Sequence, residues 1–156
     1  MSGGRVLQID TPEVLYDWPA SRRVAEFVGG MNLFPGRFLG VEGEIGRVDG
    51  GPIGPLSGVA RLPQGGEGPV VLAIRPERIR MTAGAAAEDS AGAGLAARIT
   101  AISFLGDRRH LVARLEQADQ AVTIITPVGA DPAVLPSQGD RVVLSWAPRD
   151  ARIIPG

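Results

Sequence analysis

ARITAISFLGDRRHLVARLEQADQAVTIIT, residues 97–126, is the stretch whose reading decides the fold. Its apolar residues fall into the short runs ARITAISFL (97–105), HLVARLE (110–116) and AVTIIT (121–126), rich in Ile, Val and Thr. Runs of this length and composition, bounded by turn residues, read as strands. The same texture spreads outward to VVLAIR (70–75) and RVVLSW (141–146), and in the latter Val142, Leu144 and Trp146 share one face. From Asn32 onward the apolar runs are separated by glycine and proline, of which the chain holds 22 and 13. That is all-β grammar. Several strands are apolar on both faces in places, as expected where a sheet closes into a small barrel or packs against a second subunit, and a single layer of strands is expected. RLPQGGEGP (61–69), TAGAAAEDSAGAG (82–94) and PVGADPAVLPSQG (127–139) read as loops, the second as disordered because it lacks an apolar anchor.

The first thirty residues read differently. RVLQI (5–9) is a short strand candidate, and Thr11-Pro12 is a helix start, the hydroxyl capping and the proline at the first helical position. In PASRRVAEFVGG a second helix carries Ala20, Val24, Phe27 and Val28 at i, i+4, i+7 and i+8, and Gly29-Gly30 ends it. This apolar face is expected to dock on the barrel or on a partner chain. A short amphipathic helix is marginal in water without such cover.

Composition removes much chemistry. There is no cysteine, all sixteen basic residues are arginine, and His110 is the single histidine. Disulfides, a thiolate nucleophile, a phosphate-loop lysine, Schiff-base chemistry and any metal site needing two imidazoles are therefore excluded. A net charge of −1 argues against a general nucleic-acid binder, which needs a basic face. No apolar run reaches the roughly 18 residues of a membrane span, and residues 1–15 lack the pattern of an export signal, so a cytoplasmic setting is expected.

With these elements placed, a resemblance becomes specific. GRVLQIDTPEVLYDWPASRRVAEFVGGMNLFPG (4–36) resembles the junction, in ATP-binding subunits of bacterial ABC importers, where the ATPase domain ends and the C-terminal regulatory domain begins. AIRPERI (73–79), FLGD (104–107) and GDRVVLSWAPRDARII (139–154) resemble the transport-associated OB (TOBE) domain of the polyamine, ferric-iron and sugar importer group. The resemblance implies an OB-like small β-barrel over residues 31–156, preceded by a short helical segment, residues 1–30, that is the end of an ATPase domain. It implies no catalysis and no cofactor in this chain, since the phosphate loop, signature sequence and switch histidine are missing. ATP and Mg²⁺ would belong to the absent ATPase body. PLSGVA (55–60) shares three letters with the signature sequence and reads as a turn in a glycine-rich stretch.

The motif residues have structural readings. Arg75, Pro76 and Glu77 are expected to hold a barrel corner, proline ending the strand and the flanking charges tying down loop backbone. Gly106-Asp107 and Gly139-Asp140 are turn chemistry and not metal ligands, because no second carboxylate stands at ligand spacing. His110 has no nameable catalytic partner. Arg75, Arg78 and Arg80 are the one local basic cluster in the strands, sufficient for a small anion and thin for a nucleic-acid track.

The expected function is that of a regulatory and dimerisation module of an importer's ATP-binding subunit. It would be a homodimer that meets the permease at the inner face of the membrane without inserting into it. The alternative is a module sensing a small metabolite or oxyanion at the dimer interface. SWAPRDARII points to polyamines first, with ferric iron, phosphonate and sugars behind.

Overall fold

The computed structural model describes residues 6–62, 68–84, 94–129 and 135–156. Helices α1 (Pro12–Asp17) and α2 (Arg22–Val28) lead into strands β1 (Asn32–Glu42), β2 (Ile45–Asp49), β3 (Pro55–Ala60), β4 (Pro69–Ile74) and β5 (Arg80–Ala83). Strands β6 (Leu95–Leu105), β7 (Arg108–Leu115), β8 (Ala121–Pro127), β9 (Arg141–Ser145) and β10 (Ala151–Pro155) follow. Of the disordered loop expected over residues 82–94, Thr82 and Ala83 instead end strand β5, paired with Val143 and Val142 of β9, and residues 85–93 lie outside the described residues.

The fold class expected from sequence is the one observed, an all-β chain with a short helical segment, but the strands form two sheets and not one layer. Strands β1-β2-β3-β10-β4 close a barrel, and β5-β9-β6-β7-β8 form a separate five-stranded sheet. Pairing is antiparallel except between β10 and β3, where Arg152 stands opposite Val59 and Ile153 opposite Ala60. One apolar core serves both sheets. Phe34, Leu56, Leu72, Ile74 and Ile153 enter it from the barrel, and Leu95, Ile99, Leu111, Ile124 and Leu144 from the second sheet. At about 1.5–3 kcal/mol for each such side chain fully buried, this shared core is what makes the two sheets one unit. Val142, Leu144 and Trp146 all face it. Trp146 stacks on Phe34 with ring centroids 5.5 Å apart, and its indole Nε1 donates to the Ser57 carbonyl at 3.3 Å.

Three sequence expectations change. PLSGVA is strand β3 and not a turn: Leu56 points into the core, and Gly58 is bare because a Cβ there would lie 3.1 Å from the Ala151 carbonyl oxygen. Residues 6–10 form no strand. The Gln8 amide instead ties this segment together, Nε2 donating to Trp18 O at 3.1 Å and Oε1 accepting from Ala20 N at 2.8 Å.

The third concerns α2. Its N-cap is Ser21, so Ala20 lies before the helix and is exposed. Val24 and Ala25 are the buried pair, Val28 is half-buried and Phe27 is 81% exposed. Ala25 packs with Val71, Ala73 and Ile154, so α2 covers the outer face of β4 and β10. This explains why VVLAIR is apolar on both faces. Val70, Leu72 and Ile74 face the shared core, while Val71 and Ala73 face the chain's own helix, which supplies cover that the sequence reading assigned to barrel closure or to a second subunit.

Candidate functional site

The residues with the most unusual surroundings lie where the helical segment meets the barrel. Strand β4 ends at Ile74, and Pro76 opens a single 3-10 turn, Pro76–Arg78. Proline lacks the N–H that would continue the ladder, so the chain bends there, and Arg75 turns inward beneath the helical segment. Arg75 is only 6% exposed. Its Nη1 donates to the Gly29 carbonyl at 2.7 Å and its Nη2 to the Tyr16 carbonyl at 2.5 Å. The guanidinium also lies over the Tyr16 ring, 3.5 Å from the centroid. One side chain thus grips the ends of both helices, whose last carbonyls have no partner within the helix.

Glu77 completes the grip, accepting the Tyr16 hydroxyl hydrogen at 3.0 Å. Burial pushes the Tyr16 hydroxyl above its ordinary pKa of 10.0, helped by the hydrogen bond to Glu77 and by its charge, with Arg75 opposing. Tyr16 is the chain's one tyrosine, so alkaline absorbance titration reads this group by itself. The titration is expected to lie above pH 10 and to move down toward it in Glu77→Gln. A raised pKa means that the folded chain keeps a proton that the unfolded chain gives up. The contribution is therefore complete below pH 10 and is lost as pH rises through the folded-state value. A Glu77→Gln variant titrating like the parent would show that the contact is absent in solution.

A second anchor lies beside the first. The Trp18 ring is flanked by Arg61, 4.0 Å from its centroid, and by Arg152 of β10, at 4.3 Å. Arg152 Nη1 donates to the Arg149 carbonyl at 2.5 Å. Burial draws the Arg152 pKa below its ordinary value, with Arg61 and Arg78 adding to the effect and Asp17 and Asp150 opposing it. Barrel arginines therefore hold both aromatic residues of the α1 region.

Of the residues singled out in the sequence, the junction brings together Arg75, Pro76 and Glu77. Gly106, at φ +64°, and the exposed Asp107 form the turn between β6 and β7 at the far tip of the sheet. Gly139, at φ +93°, precedes Asp140, whose Oδ2 accepts from the Ser137 N–H at 2.8 Å as a turn cap. Trp146 belongs to the core. Among the described residues no group of three His, Cys, Asp or Glu side chains is placed to hold a metal ion. Sequence reasoning passed over Tyr16, Trp18, Arg61 and Arg152 as a set, because residues far apart in the chain carry no local pattern. Arginine as the sole cation of a chain with seven aromatic residues was the available signal.

The fold is thus a closed barrel that shares its core with a second sheet and carries a helical lead-in clamped on its outside. The family model described as "TOBE domain" matches residues 72–154, and the chain belongs to this family of domains, which are non-catalytic. The chain is 33% identical over 147 residues to "Spermidine/putrescine import ATP-binding protein PotA 2" of Pseudomonas aeruginosa, covering 94% of this chain and 40% of that protein. It is 31% identical over 157 residues to the PotA protein of Thermobifida fusca, covering 100% of this chain and 40% of the relative. With "Putrescine transport ATP-binding protein PotG" of Escherichia coli the identity is 32% over 149 residues, covering 94% of this chain and 38% of the relative. The chain thus spans about 40% of the length of these curated relatives. Among solved structures, the cytoplasmic molybdate-binding protein ModG, with molybdate bound, shares the fold at a TM-score of 0.64 and 16% identity, over 80% of this chain and 96% of ModG. Among the described residues no helix is long and apolar enough to cross a membrane.

Proposed function

We propose that this chain is the regulatory module of the ATP-binding subunit of an ABC importer of polyamine type, with residues 1–30 forming the end of the ATPase domain and residues 31–156 the TOBE domain. The observation that carries this reading is that the likeness to the polyamine-import ATP-binding proteins runs through the helical segment and the barrel together, over 94% of the chain. In this reading the Tyr16 and Trp18 anchors are structural. They fix the direction in which the ATPase body leaves the barrel, so that movement of one is felt by the other.

An apolar groove of about 300 Å³, bounded by Leu7, Leu15, Val24, Phe27 and Val28, supports this assignment. It lies on the helical segment, and the ATPase body is its proposed cover. Deleting the gene in its source organism is expected to abolish uptake of labelled spermidine and putrescine and to leave ferric iron, phosphonate and sugar uptake intact. Unchanged polyamine uptake would refute the polyamine assignment.

The module is also proposed to form a homodimer and to work beside the permease at the inner membrane face, with no nucleic-acid partner. Phe104 and Leu105, 66% and 59% exposed, stand at the tip of the β6–β7 hairpin, next to Val128 at 46%. Exposed apolar side chains clustered at one tip favour a self-contact. Light scattering is expected to give twice the chain mass, and Phe104→Asp with Leu105→Asp to halve it. A monomeric parent at high micromolar concentration would count against the dimer.

A further inference from the structure

Between the helical segment and the five-stranded sheet lies a cleft of about 330 Å³, whose lining includes Tyr16, Arg75, Glu77, Arg108 and His110. Its floor holds an electrostatic imbalance. Arg75 is buried, its Nε–H meets no acceptor, and its two hydrogen bonds go to neutral carbonyls. No carboxylate among the described residues forms an ion pair with it. A buried cation without a counter-charge is costly, and the cost falls when an anion approaches.

The opposite wall adds to the imbalance. Arg108 and His110 are two residues apart on β7 and so project to the same side of the sheet. Among the described residues the one ion pair of Arg108 is with its chain neighbour Asp107 at 3.9 Å, a contact between exposed side chains of the kind that contributes little. Among the described residues Glu77 is the only carboxylate in the lining, and the Tyr16 hydroxyl already donates to it. His110 aside, two guanidinium groups therefore face one engaged carboxylate.

We infer that this cleft is a binding site for a small oxyanion, a phosphate or a short carboxylate, held by Arg108 and His110 from β7 and neutralising the buried Arg75. Charged hydrogen bonds in a partly enclosed cleft are the strong kind. Because one wall is the helical segment and the other is the sheet, an occupant would tie the two together and stabilise the folded chain by linkage. The inference stands on this chain's own charges and does not depend on the importer reading.

The test uses the 156-residue chain, with sodium phosphate, sulfate or citrate compared with chloride at matched ionic strength. Phosphate or citrate is expected to raise the melting temperature in a saturable way and to give a calorimetric binding isotherm. The stronger of the two identifies phosphate or carboxylate as the natural ligand chemistry. Arg108 is on the surface, so Arg108→Ala should melt like the parent in chloride while binding the anion about tenfold more weakly or worse, as loss of a charged hydrogen bond implies. His110→Ala should weaken binding, and Arg37→Ala, on β1 and outside the cleft lining, should leave it unchanged. Equal responses to phosphate, citrate and chloride, or an undiminished response in Arg108→Ala, would overturn the assignment.

Discussion

Arg75→Ala is expected to free the helical segment from the barrel while leaving the sheets largely intact. The substitution removes two hydrogen bonds from a charged donor, each worth about 1.5–3 kcal/mol, and a cation–π contact worth about 0.5–2 kcal/mol. Against this stands the desolvation cost of a buried guanidinium without a counter-charge, so a net loss of about 3 kcal/mol is expected. The loss should be local. Amide exchange at Leu15, Trp18, Ala25 and Gly29, whose N–H groups close the turns of α1 and α2, should accelerate roughly a hundredfold. Amides of β6 and β7, paired across their register, should keep most of their protection. Arg75→Lys should not rescue the segment, because one ammonium cannot reproduce the fork that reaches the Gly29 and Tyr16 carbonyls while stacking on the ring. If sheet amides lost as much protection as helical ones, Arg75 would be a global core residue and the clamp reading would fail.

Trp146→Ala is expected to weaken the whole domain. The indole is 4% exposed, stacks on Phe34 of β1 and donates to Ser57 of β3, so it joins the strand end after β9 in one sheet to two strands of the other. Truncating a buried tryptophan costs about 3–5 kcal/mol, and the lost aromatic pair lies within that range. Against a total stability of about 5–15 kcal/mol, this is enough to unfold a substantial fraction of the chains. Circular dichroism during denaturant titration should show the midpoint falling with the slope unchanged. Trp146→Phe keeps the stacking surface and should recover more than half of the loss. A midpoint within error of the parent for Trp146→Ala would mean that the two sheets do not depend on each other through this side chain.

These two variants also mark where local pattern ended and three-dimensional arrangement began. The strands 97–105, 110–116, 121–126 and 141–146 were legible because a run of β-branched and apolar residues between turn residues has few other solutions. Thr11 and Pro12 were legible as a helix start for a similar reason: the capping oxygen acts on an N–H three residues away. Strands β1, β2 and β3 were not placed in advance, since glycines at 36, 46 and 58 break their hydrophobic pattern. At Gly36 a Cβ would come within 2.5 Å of the Asp49 carbonyl oxygen, so the residue is set by a neighbouring strand and not by its own strand's propensity.

The candidate site divides in the same way. The corner Arg75-Pro76-Glu77 was visible as a motif, because proline at the end of an apolar run stops a strand whatever surrounds it. What the corner holds was not visible. Arg75 meets Tyr16 across 59 residues of chain, Asn32 joins the sheets by exchanging hydrogen bonds with the Thr123 backbone across 91, and Arg61, just past the end of β3, and Arg152 of β10 both reach Trp18. The sequence alone determined the class of fold, the strand-rich grammar and the chemistry excluded by a chain without lysine or cysteine, because these depend on composition and on neighbours a few residues apart. Tertiary structure alone decided that the second face of β4 is covered by α2, that the strands divide into two sheets, and that Phe27 stays outside while Ala25 goes in. Each of those outcomes depends on which distant surface comes within about 4 Å of an apolar side chain, and that distance is not encoded in any local spacing.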